Sequence, residues 1–303
     1  MDSTPHPSAS HDVVLRATVF VGHWPTIPAQ ESAEVPPGTF SPTTATLISG
    51  PTEIVLIDAL HLKAEVQELG DLVERTGKRL TTIYVTHDHA DHYLGIGPLL
   101  ERFPGAKAVT LPHILESMRN TWAPQEAQWK LMFGDKAVPH GPMPEALEGT
   151  TLYVDGSPIN VIPVKQADIH PTSIVHVPAI DVVVAGDSIY NEVFPMLALS
   201  TPDEWKDWLD TLQVIEDLAP RMVVAGHRRP DGDDHAVAAM ISQTRSFIHD
   251  FAAASETATD TGELFGMMKA KSLRTQIRPE TRRPRGGDPP ATSAPEPLAP
   301  AAS

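Results

Sequence analysis

The chain has no cysteine. This excludes disulfides, thiolate nucleophiles, iron–sulfur clusters and cysteine-based zinc fingers, so any metal must be held by histidine and carboxylate. No apolar run approaches the ~20 residues that a membrane-spanning helix needs, which excludes an integral helical membrane protein and predicts no membrane partner. Basic residues are scarce: 23 Lys+Arg face 39 Asp+Glu, a net charge of −16. Such a balance argues against a surface that grips a phosphate backbone, and no nucleic-acid partner is expected. The opening residues, Met1-Asp2-Ser3-Thr4-Pro5-His6, have neither the basic nor the apolar stretch of a secretory leader. A cytoplasmic location is the corresponding expectation.

What is present is a globular balance, with 41% hydrophobic residues in 303. At ~150 residues per domain that suits two domains or one large α/β unit. Residues 1–11 are small, polar and proline-containing and read as a flexible N-terminus. From Arg278 the text turns to Arg, Pro, Gly and Ala, too poor in apolar side chains to offset ordering entropy. Residues 278–303 therefore read as a disordered tail, leaving 12–277 as the folded part.

Within it, β-branched runs predict strands at 13–21, 44–48, 53–57, 80–85, 106–110, 151–154, 159–164, 173–177, 182–185 and 222–225. Apolar residues at helical spacing predict helices over 63–76, ended by Gly77, over 202–218, capped by Thr201, and over 235–251. So many short strands in an early and a late group, with helices outside them, imply two sheets packed face to face and flanked by helices. Residues 113–149 carry Met118, Trp122, Trp129, Leu131, Met132, Phe133 and Met143 between prolines. They read as an active-site cover, with core or a homodimer face as the alternatives.

The 14 histidines are the abundant feature. Thr86-His87-Asp88-His89-Ala90-Asp91-His92 follows directly on the strand 80–85, placing four candidate ligands in one tight loop. His87 and His89 can converge on one cation while Asp91 and His92 turn toward a second. Neutral imidazole with carboxylate suits Zn²⁺ and tolerates Mn²⁺ or Fe²⁺. One loop cannot complete two coordination spheres, and three later positions supply more: His170, Asp187 in Ala185-Gly186-Asp187, and His227 in Ala225-Gly226-His227. A small residue, then Gly, then Asp or His recurs at the carboxyl end of an apolar strand, where glycine permits close backbone approach. His176 competes with His170 but lies mid-strand, where a structural role is expected.

The run Thr86 to Gly95, followed in order by His170, Asp187 and His227, resembles the metallo-β-lactamase-fold superfamily over about residues 13–270. The resemblance implies an α/β fold, an αββα sandwich of two mixed sheets, with a dinuclear metal site at one edge. It implies that His87, His89 and His170 bind one metal, that Asp91, His92 and His227 bind the other, and that Asp187 bridges both. Asp58 matches a position where the family often places a supporting carboxylate. Around His170 the family's flanking glycines are missing, since the text reads Ile169-His170-Pro171-Thr172-Ser173. In the lactonases of this superfamily that act on N-acyl-homoserine lactones, a tyrosine three residues after the bridging Asp bonds the substrate carbonyl; Tyr190 stands at that offset.

The function this implies is metal-dependent hydrolysis of a small, fairly apolar ester, lactone or thioester, with two divalent ions, zinc first, and a metal-bridging hydroxide as nucleophile. Asp91 would also accept or relay a proton. The partner expected is a small-molecule substrate. Alternatives left open are a mononuclear iron oxidoreductase of the persulfide-dioxygenase kind and a hydrolytic dehalogenase on the same fold.

Overall fold

The computed structural model of the chain describes residues 14–25 and 40–276. The predicted N-terminal arm 1–11 and tail 278–303 lie outside the described residues. Contacts divide the chain into a unit ending at Ala253 and a second beginning at Ala254, whose helix α7 spans Thr261–Gln276. Everything that follows concerns the first unit.

Eleven strands form two mixed sheets. The first has the order β1 (Arg16–Val21), β2 (Thr44–Ser49), β3 (Glu53–Ile57), β4 (Arg79–Tyr84), β5 (Lys107–Thr110) and β6 (Glu145–Ala146). It is antiparallel through β3 and parallel from there on. The second sheet has the order β11 (Met222–Arg228), β10 (Val182–Asn191), β9 (Thr172–Val177), β8 (Ser157–Val164) and β7 (Thr151–Val154), with only β10 and β11 parallel.

Side-chain alternation along β10 shows how the layers are built. Val182 and Val184 join Leu47, Ile54 and Leu56 of the first sheet in one core. Val183 and Ala185 point the other way, toward Trp208, Leu212 and Ile215 of α5 (Pro202–Asp217) and Ile241 and Ile248 of α6 (Val237–Ser255). The first sheet is covered by Val66, Leu69 and Val73 of α1 (Lys63–Arg75). This is the expected αββα sandwich of two mixed sheets. Among the described residues no helix is long and apolar enough to cross a membrane.

Most predicted elements fall within a few residues of the observed ones. The capping box is present at α5, where Thr201 accepts from the Glu204 backbone N–H and the Glu204 carboxylate accepts from that of Thr201. Gly77 follows α1 with φ of +67°, the left-handed conformation that glycine favours.

Two strands run longer than the sequence predicts. The predicted 182–185 and 222–225 stop at Gly186 and Gly226, where glycine reads as a breaker. The parallel pairing instead continues past both glycines across a bulge, matching Tyr190 with His227 and Asn191 with Arg228. Residues 113–149 are also more ordered than a loop. They open with α4 (Pro112–Phe133), whose Ile114, Met118, Trp129 and Phe133 are buried in the core while Leu131 is exposed.

Candidate metal centre

The loop after β4 supplies the first donors. Its second half winds into the short helix α2 (Ala90–Tyr93), which turns Asp91 and His92 inward. Helix α4 holds the loop from outside: Ser117 and Thr121 each donate to Asp88 Oδ2 at 2.7 Å, and Gln125 donates to the Asp88 carbonyl while accepting from the Ala90 N–H. Asp88, the one carboxylate of the run that takes no place in the cluster, is thus the loop's anchor.

Asp58 sets the orientation of two histidines. Just past β3 with φ of +62°, it accepts from the Thr86 backbone N–H at 2.9 Å and from His92 Nδ1 at 2.8 Å. It also accepts from Thr86 Oγ1, whose oxygen in turn accepts from His87 Nδ1 at 2.9 Å. With their Nδ1 atoms held in this way, His87 and His92 point their Nε2 atoms to the interior, the arrangement of ligand histidines.

Asp187 lies at the meeting point. Its carboxylate oxygens are 3.1 Å from His92 Nε2, 3.3 Å from His227 Nε2 and 4.0 Å from His87 Nε2. His227 is held by donation from Nδ1 to the Ser41 carbonyl at 3.1 Å, and its Nε2 is 3.2 Å from Asp91 Oδ2. Thr43 donates to the same Asp91 oxygen at 3.1 Å. Tyr190 is buried, stacks its ring on His227 and donates its hydroxyl to Asp187 Oδ2 at 2.9 Å.

The donors form two groups, His87, His89, Asp168 and Asp187, and Asp91, His92 and His227. Six of the seven expected ligands are therefore brought together, and where His170 was expected the first group holds Asp168. His170 is exposed and directs Nδ1 to the Lys165 carbonyl at 2.7 Å, outside both groups. Asp168, two residues earlier, is fully buried with an oxygen 2.9 Å from His89 Nδ1. The bend after β8 turns residue 168 toward the cluster and leaves 170 on the outside. The signal was in the text: Ala167-Asp168 after the strand 159–164 repeats the small-residue-then-acid pattern, but without its glycine. His176 pairs opposite Val183 within the second sheet, as expected of a structural residue.

The donor set fits divalent cations on its own evidence. His87 Nε2, His92 Nε2, both Asp168 oxygens and Asp187 Oδ1 are buried without an aligned hydrogen bond, although burial normally demands a partner. Electrostatics agree. Burial opposes charge on His227, yet Asp187 and Asp91 outweigh it and push the ring up to about 10. Burial likewise opposes charge on His89, and Asp168 overcomes it to hold that ring at about 9. His87 goes the other way, its burial and the neighbouring His92 keeping it neutral. Burial raises Asp168 to about 6, against the pull of His89. A bound cation replaces these protons, so metal affinity should weaken as pH falls.

Residues 38–227 match the family model described as the metallo-beta-lactamase superfamily. The chain belongs to that superfamily. Its fold is similar to that of a metallo-β-lactamase family protein from Thermus thermophilus, at TM-score 0.58 and 18% identity over 85% of this chain and 90% of that one. A metallo-β-lactamase from Pontibacter korlensis gives 0.55 and 19% over 78% and 100%. The DIM-1 metallo-β-lactamase exposed to ceftazidime gives 0.57 and 14% over 82% and 99%. No curated protein matches the chain in sequence. Membership of the metallo-β-lactamase superfamily, typically metallohydrolases, together with this donor set implies divalent-metal binding and points to metal-dependent hydrolysis.

The placement of Asp168 in the cluster and of His170 outside it has a direct consequence. Asp168→Ala should lower metal content per chain, read by elemental mass spectrometry, and weaken affinity for the remaining ion at least about 10-fold. His170→Ala should leave both unchanged. The reverse pattern would restore His170 as the ligand.

Proposed function

We propose that the protein is a dinuclear metallohydrolase, with zinc as the first candidate, acting on a small, fairly apolar ester, lactone or thioester. The observation that carries this reading is the second group: Asp91, His92 and His227 converge as fully as the first, with Asp187 reaching toward both. A divalent pair held there supplies a Lewis acid and a water acidic enough to act as nucleophile at neutral pH.

The chain's own residues do the rest. His87, His89 and Asp168 would hold one ion, Asp91, His92 and His227 the other, and Asp187 both. Asp58 and Thr86 fix the two rings with their Nε2 atoms aimed inward. Asp91 Oδ2 accepts from Thr43 beside His227, and as a carboxylate there it can accept and relay a proton. Tyr190 carries a phenol whose burial raises it well above the ordinary value. It therefore stays protonated and can donate to the substrate carbonyl or the departing oxygen.

Tyr190→Phe tests that role. It removes one hydroxyl and leaves every donor atom, so metal content should stay at the wild-type level while kcat falls about 10- to 100-fold. Unchanged kcat would reduce Tyr190 to a packing residue for His227.

The mononuclear iron reading gains one specific observation, since His87, His89 and Asp168 form the two-histidine, one-carboxylate set that suits non-haem iron. Metal content of protein purified without added metal separates the two. About two zinc equivalents per chain support the hydrolase and justify screening lactones, aryl esters, thioesters and a β-lactam. About one equivalent of iron supports the oxidoreductase and calls for oxygen-consumption assays with persulfide donors.

A further inference from the structure

His89 stands where the metal-binding loop passes from one donor group to the other, with His87 behind it in the first and Asp91 and His92 ahead of it in the second. Three of the four histidines in these groups have their rings tied to a residue outside the donor set. His87 Nδ1 is held by Thr86, His92 Nδ1 by Asp58 and His227 Nδ1 by the Ser41 carbonyl. His89 differs. Its Nδ1 faces Asp168, itself a member of the donor set, at 2.9 Å, and its Nε2 is buried without an aligned hydrogen bond. Support for this ring has to come through its backbone.

That backbone is gripped on both sides by one side chain. His89 is extended, with φ −115° and ψ 135°, and directly precedes α2. The first N–H of α2, that of Ala90, has no acceptor within the helix. Gln125 of α4 provides one: its Oε1 accepts from the Ala90 N–H at 2.8 Å, while its Nε2 donates to the Asp88 carbonyl at 2.8 Å. These two peptide groups lie on either side of His89, so one carboxamide spans the residue much as a paired strand would. An amide offers an acceptor and a donor at once, which a carboxylate or a thioether cannot. The amide is itself fixed, with Nε2 3.0 Å from Asp88 Oδ1 and 3.1 Å from Thr121 Oγ1. The second group has supports of its own. Thr43 donates to Asp91, Asp58 holds His92, and the Tyr93 ring that ends α2 stacks on Trp122 at 5.2 Å.

We propose that Gln125 is a positioning residue for His89. By pairing with the peptide groups on both sides of it, Gln125 sets the direction of that ring and hence the affinity of the first donor group for its ion, while the second group is set independently. This rests on the dinuclear reading for the second ion, and the test separates the two.

Zinc is titrated into the metal-free full chain against a competing chelator, and cadmium-113 NMR of the cadmium-loaded chain reports each site by its own resonance. Gln125→Met keeps the length and apolar stem of the side chain and removes the amide. One equivalent of zinc should then bind about tenfold or more weakly, the usual effect of losing a group that orients a ligand, and the other at wild-type strength. Only the cadmium resonance coupled to the His89 ring protons should shift. Thr121→Val, which removes the hydroxyl beside the Gln125 amide, should give the same one-site pattern more weakly, and it carries the test if Gln125→Met fails to fold. Gln128→Met, on the exposed side of the same helix, should change neither site. Wild-type affinity at both sites in a folded Gln125→Met would overturn the proposal. So would equal weakening of both sites with a matching drop in the urea midpoint, the mark of a merely structural role, or a shift confined to the resonance not coupled to His89. Uptake of a single ion by the wild-type chain would sink the dinuclear reading alone. The positioning role would then stand or fall on whether that ion couples to His89 and is weakened in Gln125→Met.

Discussion

Asp187→Asn should strip the chain of metal and activity together. The substitution preserves shape but removes the charge that lies 3.1 Å from His92 Nε2 and 3.3 Å from His227 Nε2. It can also place an N–H donor among atoms that are donors or ligands already. Loss of supporting groups around a metal typically lowers affinity 10- to 100-fold. A donor shared between two groups should exceed that, so a loss of more than about 100-fold in affinity is expected, with hydrolysis of the best screened substrate falling by at least as much. Metal content after gel filtration and a competition titration with a chelator measure the first, and initial rates the second. A further readout needs no metal at all. The His227 ring owes its raised value first to Asp187 overcoming burial, so its NMR titration midpoint should move down in the variant. Retention of both metals with full activity would remove Asp187 from the centre.

Gly226→Ala tests whether the close approach of β10 and β11 builds the site. A Cβ at Gly226 would overlap Asp187 Oδ1 and come within 2.9 Å of the Asp187 amide nitrogen and 2.7 Å of the Gly186 carbonyl carbon. The last two are backbone atoms of a paired strand and cannot swing aside. One methyl group would thus force the strands apart where Tyr190 pairs with His227. Overpacking of this kind destabilises by roughly 1–3 kcal/mol. The expected result is a loss of that order in urea unfolding, together with reduced metal content in the fraction that remains folded. Alanine at Gly105, where a Cβ meets nothing within 4 Å, is the matched control and should change neither. Wild-type stability and metal content in Gly226→Ala would mean that the two strands have room to give.

The two expectations rest on different kinds of knowledge. His87, His89, Asp91 and His92 could be read directly, because a tight loop forces near neighbours in sequence to be near neighbours in space. The strand at Val182 to Ala185 and the cap at Thr201 were equally legible, since each is decided within a few residues of chain. His227 and Asp187 were legible through the glycine before each, which marked the close approach that places them.

Tertiary structure decided the rest. Residue type alone favours His170, and the small-residue-then-acid pattern at Ala167-Asp168 lacks the glycine that marks the other two positions. The choice was made by burial: the turn after β8 seats residue 168 against His89, contributed by a loop some 80 residues away in sequence. Asp88, to which the sequence assigns no role, is an anchor because α4 brings Ser117, Thr121 and Gln125 to it. His61 carried no motif at all. Its ring is enclosed because Phe40, Trp129 and Phe133 converge on it from distant segments and leave its nitrogens unpartnered. The sequence by itself determined the superfamily and pointed to most of the side chains that cluster in the fold, since these follow from residue type and short-range spacing. Which acid joins the first group, and which rings pack around His61, depend on long-range packing that only the folded chain establishes.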